Sequence, residues 1–137
     1  MLRYLIDTSA LARYPQKPVF DLLGSRFSRG LVGFCVVTAL EVGYSSRSLS
    51  DHARQSALVA QIVPVLIGPR AERRAIDVQR ALVSAGTHRA VSPADVLVAA
   101  VAEVERLTVL HYDADFDLIA SITGQATEWV VPRGSVD

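Results

Sequence analysis

The sequence predicts an α/β domain built on a mostly parallel sheet, and two observations carry that prediction. Short apolar, β-prone runs recur at Tyr4 to Ile6, Val32 to Val37, Ile62 to Ile67, Leu107 to Leu110 and Trp129 to Val131. The stretches between them have helix character, and strands that alternate with helices are what a parallel sheet with crossover helices requires. At 137 residues, half of them hydrophobic, the chain is long enough for one domain with a real core and too short for two of ordinary size. There is no internal repeat, low-complexity tract or interdomain linker. Residues 1–131 are expected to form the domain and 132–137 a flexible tail.

Each element has a local reason. The stretch from Thr38 to about Ser46 opens with Thr38-x-x-Glu41, the capping-box pattern, and predicts a helix. A second helix over about Asp51 to Gln61 completes a helical hairpin. From Ala71 to Ala85 the residues Ala71, Ala75, Val78, Leu82 and Ala85 share one face, with Arg73, Asp77, Arg80 and Ser84 opposite, which is the pattern of an amphipathic surface helix. Ser92-Pro93 supplies an N-cap and a first-turn proline for a helix that is apolar on nearly every side and must be covered by the sheet, by other helices or by a second subunit. A last helix over about Asp115 to Thr123 ends at Gly124.

Composition narrows the function classes. Formal charge is zero, so no strongly basic surface announces nucleic-acid binding, and local charge must carry that case. Lys17 is the only lysine; the remaining basic residues are arginines, whose planar fork suits phosphate and carboxylate equally. Cys35 is the single cysteine, in an apolar run, which fits a buried free thiol and a reducing cytoplasm. No run approaches the roughly 18 apolar residues that a membrane span needs.

Four acids stand out. Asp7, Glu41, Asp95 and Asp113 each lie where an apolar run ends or a helix begins, and none has an obvious basic neighbour in sequence. Each has an ordinary explanation: Asp7 as an N-cap at a strand-to-helix junction, Glu41 as the partner of Thr38 in a capping box, Asp95 as a first-turn acid paired with Ser92, and Asp113 with Asp115 and Asp117 as caps or solvated residues. All four nevertheless fall at corresponding topological places, and open parallel sheets bind ligands in that crevice. Carboxylates gathered from separate elements repel one another unless protons or a cation compensate, and hard divalent ions prefer such oxygens. Asp95 weighs most, because an acid in so apolar a helix is expected to have a partner. His111 reads as a supporting or packing residue, and His52 and His88 as surface. Ser9 lacks a His-Asp arrangement for nucleophilic catalysis, and Gly24, Gly30 and Gly33 lack the spacing of a phosphate loop.

The strings LIDTSALA, TALEVGYSSRS, PADVLVAAVAE and HYDADFDLIA together resemble the PIN-domain ribonucleases, and most closely the VapC toxins of bacterial toxin–antitoxin modules. The resemblance runs from about Leu2 to Val131. It implies a PIN-like fold with a five-stranded parallel sheet flanked by helices. It also implies that Asp7, Glu41, Asp95 and Asp113 form an acidic quartet holding Mg²⁺ or Mn²⁺, with Asp115 assisting and Thr8 or Ser9 orienting a water or a substrate phosphate. A homodimer and a VapB-type antitoxin partner are implied as well, the latter supplying a basic residue to the acidic cleft. The expected chemistry is metal-assisted hydrolysis of an RNA phosphodiester in the cytoplasm. Arg70, Arg73, Arg74, Arg80 and Arg89 are candidates, by clustering, for contact with RNA, Arg73 and Arg80 foremost. Two rivals are a non-catalytic module of the same fold that binds RNA or protein, and a receiver-like phosphoacceptor domain, which predicts a basic partner after its last strand, whereas the only lysine, Lys17, lies far upstream.

Overall fold

A computed structural model describes residues 1–137. The chain runs β1 (Tyr4–Ile6), α1 (Thr8–Leu11), α2 (Lys17–Ser28), β2 (Val32–Phe34), α3 (Val36–Tyr44), α4 (Leu49–Val59), β3 (Val63–Pro64), α5 (Pro69–Ser84), α6 (Pro93–Val104), β4 (Thr108–His111), α7 (Asp115–Thr123) and β5 (Thr127–Trp129). All four strand pairings are parallel, in the order β3-β2-β1-β4-β5. The five-stranded parallel sheet flanked by helices is therefore the architecture that the alternating pattern called for.

The strands read as continuous apolar runs because both faces of the sheet are covered. Leu5 and Val109 face one core with Val78 and Leu82 of α5, Val98 and Val101 of α6, and Phe116 and Ile119 of α7. Ile6 and Leu110 face the other, with Leu11, with Val19, Leu23 and Phe27 of α2, and with Val42 of α3. Pairing Leu5 with Val109 and Ile6 with Leu110 keeps both alternations in phase. Strand order reverses beside β1: β2 lies on one side and β4 on the other. The crevice beyond the ends of β1 and β4 is thus the switch point at which such sheets bind ligands.

Several boundaries differ from the sequence reading. No helix was delineated between β1 and β2, yet α2 occupies twelve residues and buries Val19, Leu23 and Phe27 at a four-residue spacing. The run Val32 to Val37 splits: β2 stops at Phe34, Cys35 is the N-cap, and Val36 and Val37 already belong to α3. Thr38 is consequently inside the helix and not a cap, and its hydroxyl donates to the Ile6 carbonyl at 3.2 Å, satisfying a strand-end acceptor that the ladder leaves open. β3 is reduced to two residues because Pro64 has no N–H to give; Val65 resumes the contact by donating to Phe34 O at 2.8 Å. Helix α6 begins as expected, with Ser92 Oγ accepting from Asp95 N–H. Its apolar sides are covered by the sheet and by α5, α7 and α3 of the same chain, so the helix itself needs no second subunit. Gly124 ends α7 in the left-handed region at φ 74°. Residues 132–137, read as a flexible tail, turn back onto Tyr112, whose hydroxyl accepts from Gly134 N–H (2.7 Å) and donates to Val136 O (2.9 Å).

No helix is long and apolar enough to cross a membrane.

The tightest backbone approach is at Gly33 in β2, between β1 and β3. A Cβ there would sit 2.6 Å from Val65 Cγ2 and 3.2 Å from the Val63 carbonyl. Gly33→Ala is expected to cost about 1–3 kcal/mol, the usual range for overpacking. In urea titrations the double variant Gly33→Ala/Val65→Ala should be less destabilised than the two singles added together, and simple additivity would show that the clash is not the cause.

Candidate metal centre and active site

Asp7 leaves β1 directly into the switch-point crevice and is 2 % exposed. One of its oxygens does the work of an N-cap: Oδ2 accepts from Ser9 N–H (2.9 Å) and from the Ser9 hydroxyl (2.6 Å). The other, Oδ1, is buried with no hydrogen-bond partner at all. Burial raises the Asp7 pKa, the Ser9 hydrogen bonds oppose that rise, and the charge of Glu41 adds to it. The cap explanation accounts for half of this carboxylate and leaves the buried half without a purpose.

Glu41 comes from the middle of α3, where the shift of the helix start to Val36 removes any capping role. Its Oε1 accepts from Thr8 Oγ1 at 2.8 Å, so α1 holds both first acids, Asp7 through Ser9 and Glu41 through Thr8. Asp95 stands at the N-terminal turn of α6. Capping there runs one way, from the Asp95 N–H to Ser92, and the Asp95 carboxyl is left for Asp113 and Asp115, with an oxygen of each of the three within 4.8 Å of the others. Its pKa is pushed up to about 8 by burial first, then by the charge of Asp7, by a shared-proton hydrogen bond with Asp115, and by the charges of Asp113 and Asp115. The turn that carries Asp113 from β4 to Asp115 at the start of α7 is internally braced: Asp113 Oδ1 accepts from Asp115 N–H (2.9 Å), and His111 Nδ1 accepts from Asp113 N–H (3.1 Å). His111 is wholly buried between the rings of Phe116 and Trp129, at centroid distances of 5.1 and 5.0 Å. Burial lowers its pKa, and with Nδ1 accepting, the proton of the neutral ring resides on Nε2. It braces the loop and does not face the acids as a ligand. Asp117 turns the other way and accepts from Trp129 Nε1.

The five carboxyls have no basic side chain among them. Every ion pair of the chain lies elsewhere: Lys17–Asp21, Arg26–Glu128, Arg54–Asp51, Arg74–Glu103 and Arg80–Asp77. A purely oxygen donor set, buried at Asp7 and Asp95 and half-buried at the other three, with one orphaned oxygen, fits a hard divalent cation, whose opposed oxygen ligands sit about 4–5 Å apart. Without one, burial first and repulsion from the neighbouring carboxyls second favour a retained proton, which is the direction of the Asp95 shift.

A family model of the PIN domain matches residues 4–122, which includes all five acids. The chain belongs to the PIN-domain family. It is 46 % identical over 134 residues to Ribonuclease VapC2 of Mycobacterium tuberculosis strain CDC 1551, covering 96 % of this chain and 94 % of that one. It is 39 % identical over 136 residues to Ribonuclease VapC51 of Mycobacterium tuberculosis strain H37Rv, covering 99 % and 98 %. Among solved structures, DNA-bound VapBC from Salmonella typhimurium superposes with a TM-score of 0.80 at 21 % identity, over 96 % of this chain and all of that one. VapBC2 from Rickettsia felis, bound to a promoter DNA fragment, gives 0.78 at 13 % identity, over 93 % and 99 %. Those two likenesses concern the fold.

In this PIN domain the hydroxyls of Thr8 and Ser9 are both committed to carboxylates, and Ser9 Oγ additionally accepts from Tyr112 N–H at 2.9 Å. They position Asp7 and Glu41. The arginines singled out on α5 are not brought to the acids. Arg74 pairs with Glu103, eight residues and about 12 Å of helix beyond Asp95. Arg70 and Arg73 line a cavity of about 340 Å³ beside that pair, and Arg80 lies 3.7 Å from Asp77. Arg89 is exposed in the loop before α6. The sequence reading overlooked Arg13 and Tyr112, which adjoin the site; the only local signal was the four-residue step from Ser9 to Arg13.

The pH dependence of stability follows with a definite sign. In the metal-free protein the folded Asp95 holds its proton up to about pH 8, whereas the unfolded chain releases it near the ordinary value of about 4. Between those limits the unfolded state binds fewer protons, so stability is full below the window and falls as pH rises through it. Melting temperature in EDTA should therefore decline from about pH 5 to about pH 8, and Asp95→Asn should flatten the decline. A wild-type melting temperature constant over that range would contradict the repulsion argued above.

Proposed function

We propose that this chain is a divalent-metal-dependent ribonuclease of the VapC kind, acting in the cytoplasm and restrained by a VapB-type antitoxin. The observation that carries the metal-dependent part is the buried, unpartnered Asp7 Oδ1 within a group of five carboxyls that has no basic counter-charge. The ribonuclease part is supported by curated relatives of that name aligned over nearly the whole chain.

Asp7, Glu41, Asp95 and Asp113 would hold Mg²⁺ or Mn²⁺, with Asp115 assisting through its contacts with Asp95 and Asp113. Once bound, such an ion supplies Lewis acidity toward a phosphoryl oxygen and lowers the pKa of a coordinated water. The remaining work belongs to the protein. Ser9 fixes the Asp7 carboxylate and joins it to the Tyr112 backbone, so the ends of β1 and β4 cannot drift apart. Thr8 fixes Glu41, and His111 fixes the turn that presents Asp113. Burial of Asp7 and Asp95 removes competing water from two of the donors.

Two features support association with protein partners. Val36, Leu40 and Tyr44 recur at a four-residue spacing along α3 and are exposed, Tyr44 to 94 %, with Leu49 of α4 also exposed. The solved neighbours named above are toxin–antitoxin complexes. A homodimer and a bound antitoxin are the associations this reading carries, and apolar area of that kind is what they would cover.

Two experiments test the proposal. RNA cleavage should require Mg²⁺ or Mn²⁺ and stop in EDTA. At limiting metal, Glu41→Gln should slow it by more than about tenfold while the metal-free melting temperature stays level or rises, because repulsion is relieved. Thr8→Val should lower metal affinity or rate by about 10–100-fold, the usual cost of losing a residue that orients a ligand. A Glu41→Gln protein that cleaves at the wild-type rate would remove Glu41 from the site. Separately, the small protein encoded beside this one should co-purify with it and suppress cleavage; if it does neither, the toxin–antitoxin assignment fails while the nuclease assignment stands.

A further inference from the structure

A polyanion must approach five uncompensated carboxyls, and the arginines of α5 do not sit beside them. One guanidinium instead touches the residues that hold them. Arg13 follows α1 by two residues, and its Nη1 donates to the carbonyl of Ser9 (2.7 Å), the residue whose hydroxyl holds Asp7. The guanidinium carbon lies 4.4 Å from the ring centroid of Tyr112, whose own backbone N–H donates to Ser9 Oγ and whose next neighbour is Asp113. Its Nε donates to the Asp137 carbonyl (2.7 Å), and the tail that brings that carbonyl is pinned by the Tyr112 hydroxyl through Gly134 and Val136. Arg13 is thus braced on three sides, against α1, against the loop after β4 and against the folded-back tail. No side-chain carboxylate pairs with it, and of its five N–H donors two are used, leaving three.

We propose that Arg13 is a substrate-positioning residue: it binds a backbone phosphate of the RNA flanking the scissile bond, with Tyr112 and the folded-back tail holding its guanidinium in place. A pre-oriented guanidinium gives bidentate phosphate contact at a small entropic cost, and it lends local attraction where the acids repel. The proposal rests on the ribonuclease reading for its ligand.

The test separates the two. RNA binding is measured in an Asp95→Asn background, where turnover does not interfere, by anisotropy of a labelled mixed-sequence oligoribonucleotide over a salt series. Turnover is measured in the wild-type protein with Mg²⁺. Adding Arg13→Gln should weaken binding about tenfold at low salt and lower the slope of log K against log salt by about 0.7, the value for one phosphate contact on a single strand. Arg13→Lys keeps the charge and should restore most of the slope, which a purely structural loss would not do; melting temperatures of both variants check the fold. Equal slopes in the Gln and Lys variants, or a Gln variant that binds as tightly as its parent, would overturn the Arg13 assignment even if the wild-type protein cleaves RNA. An Arg13-dependent slope in a protein that never cleaves would overturn the nuclease reading and keep the contact. Absence of RNA binding in the Asp95→Asn background would overturn the proposal outright.

Discussion

Negative charge without a counter-charge, buried at one end of a parallel sheet, is the constraint around which this molecule is organised. Desolvating a carboxylate is costly unless something answers it, and here burial is the first cause that raises both Asp7 and Asp95. The surroundings do not dilute the charge; they lock it in place. Thr8 and Ser9 each hold one acid, Ser92 caps the helix that carries another, and His111 and Asp115 brace the loop that carries a fourth. Such rigidity keeps repelling acids at fixed separations, and a site that is already assembled spends little entropy on gathering any ligand it takes.

The two cores serve that end. Burial of Leu5 and Ile6 on opposite faces fixes the rotation of β1 about its axis, and so fixes the direction in which Asp7 leaves the sheet. Helix α6 is packed on almost every side, and a helix so confined cannot slide or rotate to relieve repulsion at its first turn. Repulsion there has to be met by a proton or a cation, since the packed backbone cannot yield.

Much of this was legible in the chain, and the exceptions share a cause. The five strands could be read because strands covered on both faces appear as unbroken apolar runs, and the four acids could be read because they close those runs or open the helices. Thr38 could not. The pattern Thr-x-x-Glu is local, but the partner that decides its role is the Ile6 carbonyl of another strand, and Glu41 is claimed by a threonine of α1. Helix α2 was obscured by Pro18 and Gly24 within its bounds, although Val19, Leu23 and Phe27 mark its buried side. The covering of α6 by its own neighbours and the clasp among Arg13, Tyr112 and the tail likewise join residues far apart in sequence. Composition and spacing carry information about what a segment prefers, and little about which distant group will answer it.

The order of the strands sets when the acidic crevice can form. β1 is made early and lies at the centre of the sheet, but its neighbour on the side of Asp113 is β4, from late in the chain. Asp7 is therefore translated long before Asp95 and Asp113 exist to join it. Until β4 has emerged and docked, the seam that forms the crevice is absent, and pairings of such long sequence separation are late events in folding. Until then the chain carries Asp7, Glu41 and Asp95 but lacks Asp113 and Asp115, so the acidic cluster cannot be complete. The topology thus makes the acidic crevice a late product of synthesis, closed only when a strand from far along the chain inserts beside the first.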